Sequence, residues 1–197
     1  KLQAGGAPLV LAWWAFAMSA LLFIPVAQGF RRLLGSLAEP DGGAFVLGTA
    51  SAIAQSVGLL RWVLVVPALA ATFNHPDSTA TAREASVVVF DAVHRYGGMV
   101  IGEMVGQLLL AAWTALVALG LWRTRAVPRA LAAVGLLTVP LWLIGQTELL
   151  HVVIPALPAI EVTPLAFMTW EAWLLMLAIS LLISAWRRRG RSAAIPS

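Results

Sequence analysis

Five long apolar stretches constrain this chain more than anything else in it. They run over about residues 8–30, 44–72, 96–122, 128–151 and 163–186, against the roughly 20 apolar residues that a ~30 Å hydrocarbon layer requires of a helix. In hydrocarbon every backbone N–H and C=O has to find its partner within the protein, and a helix supplies those partners from its own segment. The sequence therefore predicts an all-α, polytopic transmembrane helix bundle forming one integral membrane domain over residues 1–197. Composition agrees: 60% of residues are hydrophobic, only 11% are charged and the mean hydropathy is +0.88, far from the balance of a soluble domain.

The net charge of +4 is no nucleic-acid footprint, because the excess arginine sits in short loops and the tail. That is the positive-inside pattern, and it sets an orientation. Arg31 and Arg32 follow the first stretch, Arg123, Arg125 and Arg129 follow the third, and Arg187, Arg188, Arg189 and Arg191 follow the fifth. Those three sides, with the carboxyl terminus, are expected in the cytoplasm. The connection 73–95 balances Arg83 and Arg95 against Asp77, Glu84 and Asp91, and 152–162 carries Glu161 and no basic residue; both are expected outside. The chain opens Lys1-Leu2-Gln3 with its visible amino terminus on the outer side, so one more span upstream is expected, a cleaved signal peptide being the alternative. With no cysteine, thiolate metal sites, disulfides and cysteine nucleophiles are excluded.

Turn chemistry punctuates the spans. Pro40-Asp41-Gly42-Gly43 separates the first two and Asn74-His75-Pro76-Asp77 ends the second, while Pro155 and Pro158 make 152–162 an irregular outer loop. Thr81-Ala-Arg-Glu84 has the form of a capping box, predicting a helix start near Ala82. A helix unbroken from there to Trp122 would be about 60 Å long at 1.5 Å per residue, twice the membrane thickness. An outer amphipathic helix 82–95, a bend at Gly97-Gly98 and a span from Tyr96 are expected instead. Gly98, Gly102 and Gly106 form a small-residue ridge that suits close approach of another helix, and Pro140 is expected to kink the fourth span. Trp122 and Trp186 precede arginines and read as interfacial anchors; Trp142 and Trp170 lie deeper and are candidates for lining a cavity.

Any chemistry has to come from the polar residues inside the spans. These are Gln55 and Arg61, Glu103 and Gln107, Gln146 and Glu148, and Glu171. A lone charge at membrane depth costs at least ~2.5–3.5 kcal/mol, so each needs a partner or a wet cavity. Glu103 is the expected partner of Arg61, either as a structural ion pair or as a site in which Arg61 holds a polar group while Glu103 handles a proton. Glu103, Glu148 and Glu171 are the candidate catalytic carboxylates, expected to border one outward-facing pocket, with burial raising their pKa enough for acid catalysis. Arg61, Trp62, Tyr96, Gln107, Trp142, Gln146 and Trp170 are the candidate ligand-binding residues. Asp91-Ala-Val-His94 and Glu148-Leu-Leu-His151 each place a carboxylate and an imidazole one turn apart, which with Glu103 and Glu171 formally matches a di-iron inventory. Asp91, His94 and His151 are thus candidate metal ligands, and His94 with His151 candidate haem ligands. In an unbroken α-helix, however, His94 and Glu103 point in opposite directions. Phosphate-loop, dinucleotide and hydrolase-elbow motifs are absent.

Three segments carry a family resemblance: Gly58-Leu-Leu-Arg61-Trp62-Val-Leu-Val-Val-Pro67; Val89-Phe-Asp91-Ala-Val-His94-Arg-Tyr96 with Gly102-Glu103-Met-Val-Gly106-Gln107; and Val127-Pro128-Arg129-Ala-Leu-Ala-Ala-Val-Gly135. Together, over most of 44–186, they resemble a bacterial family of small polytopic membrane proteins known only as a domain of unknown function. The resemblance implies about six spans and a bacterial plasma membrane, and no reaction, cofactor or partner beyond the bilayer. Two functional classes follow. One is a protein that binds or acts on a lipid-soluble molecule, such as an isoprenoid, a quinone or an acyl chain, in an outward-opening pocket. The other is a non-catalytic subunit or small transporter with a structural Arg–Glu pair. The arginine asymmetry has a direct test: cysteines at Ser78 and Ala159 should react with an impermeant thiol reagent in intact cells and one at Ser192 should not, and the reverse pattern would invert the orientation.

Overall fold

The computed structural model describes residues 2–38 and 42–192; Pro40 and Asp41 of the first predicted turn lie outside them. The chain runs α1 (Leu2–Leu21), α2 (Phe23–Ala38), α3 (Gly43–Leu64), α4 (Val66–Asn74), α5 (Ala80–Val93), a π-helix (His94–Val105), α6 (Gly106–Thr124), α7 (Arg129–His151) and α8 (Thr163–Ser192). The described residues hold no strand. Five helical runs are long and apolar enough to cross a membrane: Gly5–Gly35, Gly43–Asn74, Ala80–Thr124, Arg129–His151 and Thr163–Arg187. The protein is an all-α, multi-pass membrane protein.

Prolines divide two of the runs. The turn at Leu22 comes three residues before Pro25, whose ring would collide with the carbonyl four positions back. Val65 ends α3 and caps α4, with Pro67 in the first turn of α4, where a missing N–H leaves nothing unsatisfied. Pro140, expected to kink its span, sits inside α7 without ending it.

The third run departs most from expectation. Its helix begins at Ala80, because Thr79 rather than Thr81 is the cap: Thr79 Oγ1 accepts the Ala82 N–H at 3.2 Å. Helical backbone continues from Ala80 to Thr124, and the expected bend at Gly97-Gly98 falls within a π-helix. The last hydrogen bonds of this π-helix include Gly106 N–H to Ile101 O, five residues back. Wide π turns are rare and poorly packed, and Gly97, Gly98 and Gly102 offer no side chains to obstruct one.

The chain forms two compact units, Lys1–Arg31 with Gly42–Leu110, and Arg32–Asp41 with Ala111–Ser197. In the first, α3 packs against α1 and the π-helix, and α4 against α5. The buried face of α3 is Ala44, Gly48, Ser51, Ala52, Ala54, Ser56, Gly58 and Arg61, whereas Val46, Ile53, Val57 and Leu64 are exposed. Small residues inside and large apolar ones outside are what a helix needs when its solvent is lipid and its attraction is close packing. A Cβ on Gly58 would lie 2.6 Å from Gly102 Cα, so α3 and the π-helix touch backbone to backbone. Ser51 Oγ donates to Gly106 O at 2.8 Å beside them. The Gly98, Gly102 and Gly106 ridge thus receives α3 of the same chain.

The second unit is built on tryptophan. Trp113, Trp142 and Trp173 are fully buried, and Trp113 meets Trp170 and Trp173 edge-on at 6.2 and 6.4 Å. Trp173 lies on Gly135, where a Cβ would fall 2.5 Å from the indole, and its N–H donates to Leu131 O at 2.9 Å. A buried indole N–H needs such an acceptor. Gly58→Ala and Gly135→Ala should each destabilise the protein by about 1–3 kcal/mol through overpacking, measured by denaturant unfolding in detergent. Gly29→Ala, whose Cβ would have nothing within 4 Å, should cost no more than ordinary surface changes.

Candidate functional site

Arg61 organises the first unit. It lies in the last turn of α3 and is 8% exposed. Its Nη1 donates to Gly58 O at 2.6 Å and its Nη2 to Glu103 Oε1 at 3.2 Å. The guanidinium lies flat on Gly98, where any Cβ would come within 2.4 Å of Cζ. Arg61 Nε is buried without a hydrogen-bond partner. Glu103 itself is 39% exposed, so a buried cation is neutralised by a carboxylate that the exterior can still reach.

Residue counts place these charges along their helices. Arg61 stands 18 residues beyond Gly43, Glu103 20 before Arg123, Glu148 19 beyond Arg129 and Glu171 16 before Arg187. Each is therefore about 24–30 Å along its own helix from that residue.

Aromatic rings continue outward from the guanidinium. Arg61 Cζ lies 5.3 Å from the Trp62 ring centroid, a cation–π contact. Trp62 stacks on Trp13 of α1 at 5.3 Å and meets His94 edge-on at 6.3 Å. His94 in turn lies parallel to Phe90 at 5.5 Å, and its Nδ1 is buried without a partner. Phe90 forms one wall of an apolar groove of about 210 Å³ between α4 and α5, lined also by Val66, Leu69, Ala70, Phe73, Asn74, Ser86 and Val87. His94 and Glu103 both meet α3, one through Trp62 and the other through Arg61. Nine residues apart, they would oppose each other in an α-helix; at roughly four and a half residues per π turn they fall on one side.

The other candidate residues are placed differently. Tyr96 is 68% exposed and Asp91 is exposed, while Gln107 is buried. Glu148, His151, Glu171, Trp142, Gln146 and Trp170 belong to the second unit. There Glu171 is exposed and Glu148 half-buried. Trp142 and Trp170 are buried: Trp142 meets Phe167 edge-on at 4.6 Å, and Trp170 Nε1 donates to Thr114 Oγ1 at 2.9 Å. Gln146 Nε2 donates to Trp142 O. His151 Nδ1 lies 2.7 Å from Leu157 O, which ties the 152–162 loop to the end of α7. Among the described residues no three His, Asp or Glu side chains gather in a way that could hold a metal ion. Sequence reasoning missed Trp13, Phe90 and the groove; the signal available for the groove was Pro67, which starts the short helix forming one wall.

Residues 1–183 match the family defined by a domain of unknown function, DUF4386. The chain belongs to that family. No curated protein and no solved structure matches the chain. Arg61, Trp62, His94 and Glu103, which the fold of the first unit brings together, all lie within the matched residues. Removing the carboxylate from this pair leaves a buried guanidinium, so Glu103→Gln should destabilise the protein by about 3 kcal/mol, the low end for a buried pair because Glu103 is partly exposed. Adding Arg61→Met should recover part of that loss in a double-mutant cycle, and strictly additive losses would show that the pair contributes nothing.

Proposed function

We propose that this protein resides in a bacterial plasma membrane with its arginine-bearing ends in the cytoplasm, and that it binds a lipid-soluble small molecule at the outer hydrocarbon boundary. The observation carrying this reading is the unbroken run of contacts from the α4–α5 groove through Phe90, His94 and Trp62 to Arg61 and Glu103. It joins an apolar receptacle to a neutralised, partly accessible charge pair, the two elements an amphiphile requires. A volume of about 210 Å³ is below the roughly 300 Å³ of a pocket for a whole drug-sized ligand. It suits a segment of an isoprenoid or acyl chain better than a quinone ring. Glu103 is the residue positioned to exchange a proton with such a ligand, and Arg61 to hold a polar group.

A second reading, a non-catalytic membrane subunit, is favoured by the Gly58–Gly102 contact and the 3.2 Å ion pair, which are how two helices are locked in register. The two readings separate on one measurement. Lipid extracts of the purified protein should contain a defined isoprenoid or acyl species at near-stoichiometric amount by mass spectrometry. Val87→Trp, which fills the groove, should lower it about tenfold without loss of folding. Extracts of both proteins that match bulk membrane lipid would leave the structural subunit.

A further inference from the structure

We infer that the π-helix is a two-register element, held in its π form by the Arg61–Glu103 pair. Its contacts with α3 include four through which side chains or glycine Cα atoms meet: His94 with Trp62, Gly98 under the Arg61 guanidinium, Gly102 with Gly58, and Glu103 with Arg61. At roughly 80° per residue, the rotation of a turn of about four and a half residues, these positions fall within about a quarter turn of one another. At the 100° of an α-helix they spread over half a turn, with Glu103 opposite His94. Only the π register lets Glu103 and His94 serve α3 together.

An α-helix is the better-bonded form of this backbone, so the π register persists through contacts made outside the segment. The ion pair is the one among them that a single chemical event, a proton on Glu103 or a polar group taking Arg61, can remove. Relaxation of twelve residues to the α form would turn α5 against the Gly106–Leu110 turn that follows by more than half a turn and lengthen the segment by roughly 4 Å. Because Ser86, Val87 and Phe90 of α5 form one wall of the groove, the same movement reshapes it. The pair and the groove are thereby coupled through backbone register, whether or not a ligand is ever bound.

The test uses the full chain in lipid nanodiscs. It has no native cysteine, so spin labels on cysteines at Ala85 and Leu108, both exposed, report one distance across the π-helix. Arg61→Met with Glu103→Leu removes both charges and leaves neither unpaired. The label separation in that double variant should differ from wild type, with a lengthening of roughly 4 Å and helical circular dichroism retained. Glu103→Gln, which keeps shape and one hydrogen bond, should populate both distances, and Glu103→Asp should hold the original one. An unchanged single distance in the double variant, or in Glu103→Gln should the double variant fail to fold, would make the π-helix a fixed feature and overturn the inference.

Discussion

A guanidinium placed in an apolar layer has to be surrounded by acceptors, and much of the first unit is arranged around that requirement. Arg61 takes the Gly58 carbonyl, one oxygen of Glu103 and the face of Trp62. To bring Glu103 within reach, α3 and the π-helix approach until Gly58 and Gly102 touch. To make room for the guanidinium, position 98 has no side chain. Substituting any one of these residues disturbs the others, because a buried charge that loses its partner is far more costly than an apolar replacement of the pair.

The same requirement accounts for the π-helix. Ordinary α geometry would carry Glu103 away from the face that His94 presents, and the glycines at 97, 98 and 102 permit the wider turn that restores it. π segments occur often at functional sites because they re-aim side chains without breaking the helix. Here the re-aimed groups are the carboxylate that meets Arg61 and the imidazole that meets Trp62.

The second unit solves a different problem by a different route. Its core is a set of tryptophans packed edge to face, with the Trp173 and Trp170 N–H groups satisfied by Leu131 O and Thr114 Oγ1. Gly135 and Gly145 accommodate Trp173 and Thr163 of α8. Glu148, half-buried, and Glu171, exposed, lie on this unit without an ion pair among the described residues.

Hydrophobic length alone determined the fold class and the five spans, because a backbone in lipid has few alternatives to a helix. Small-residue spacing pointed to the ridge of Gly98, Gly102 and Gly106, and the cost of a lone charge pointed to Arg61 pairing with Glu103. The helix start was misplaced by two residues, since Thr79 and Thr81 offer equivalent hydroxyls and only the folded chain shows which one accepts. Register lay beyond the sequence altogether: 100° per residue was the natural assumption, and the π turn between His94 and Glu103 is selected by what α3 presents to that face. The burial of Trp142 and Trp170 was likewise decided by tertiary packing, because an indole in a membrane helix reads the same whether it faces lipid or protein. Spacing along one chain specifies what each helix can offer, and only the neighbouring helix specifies which offer is taken.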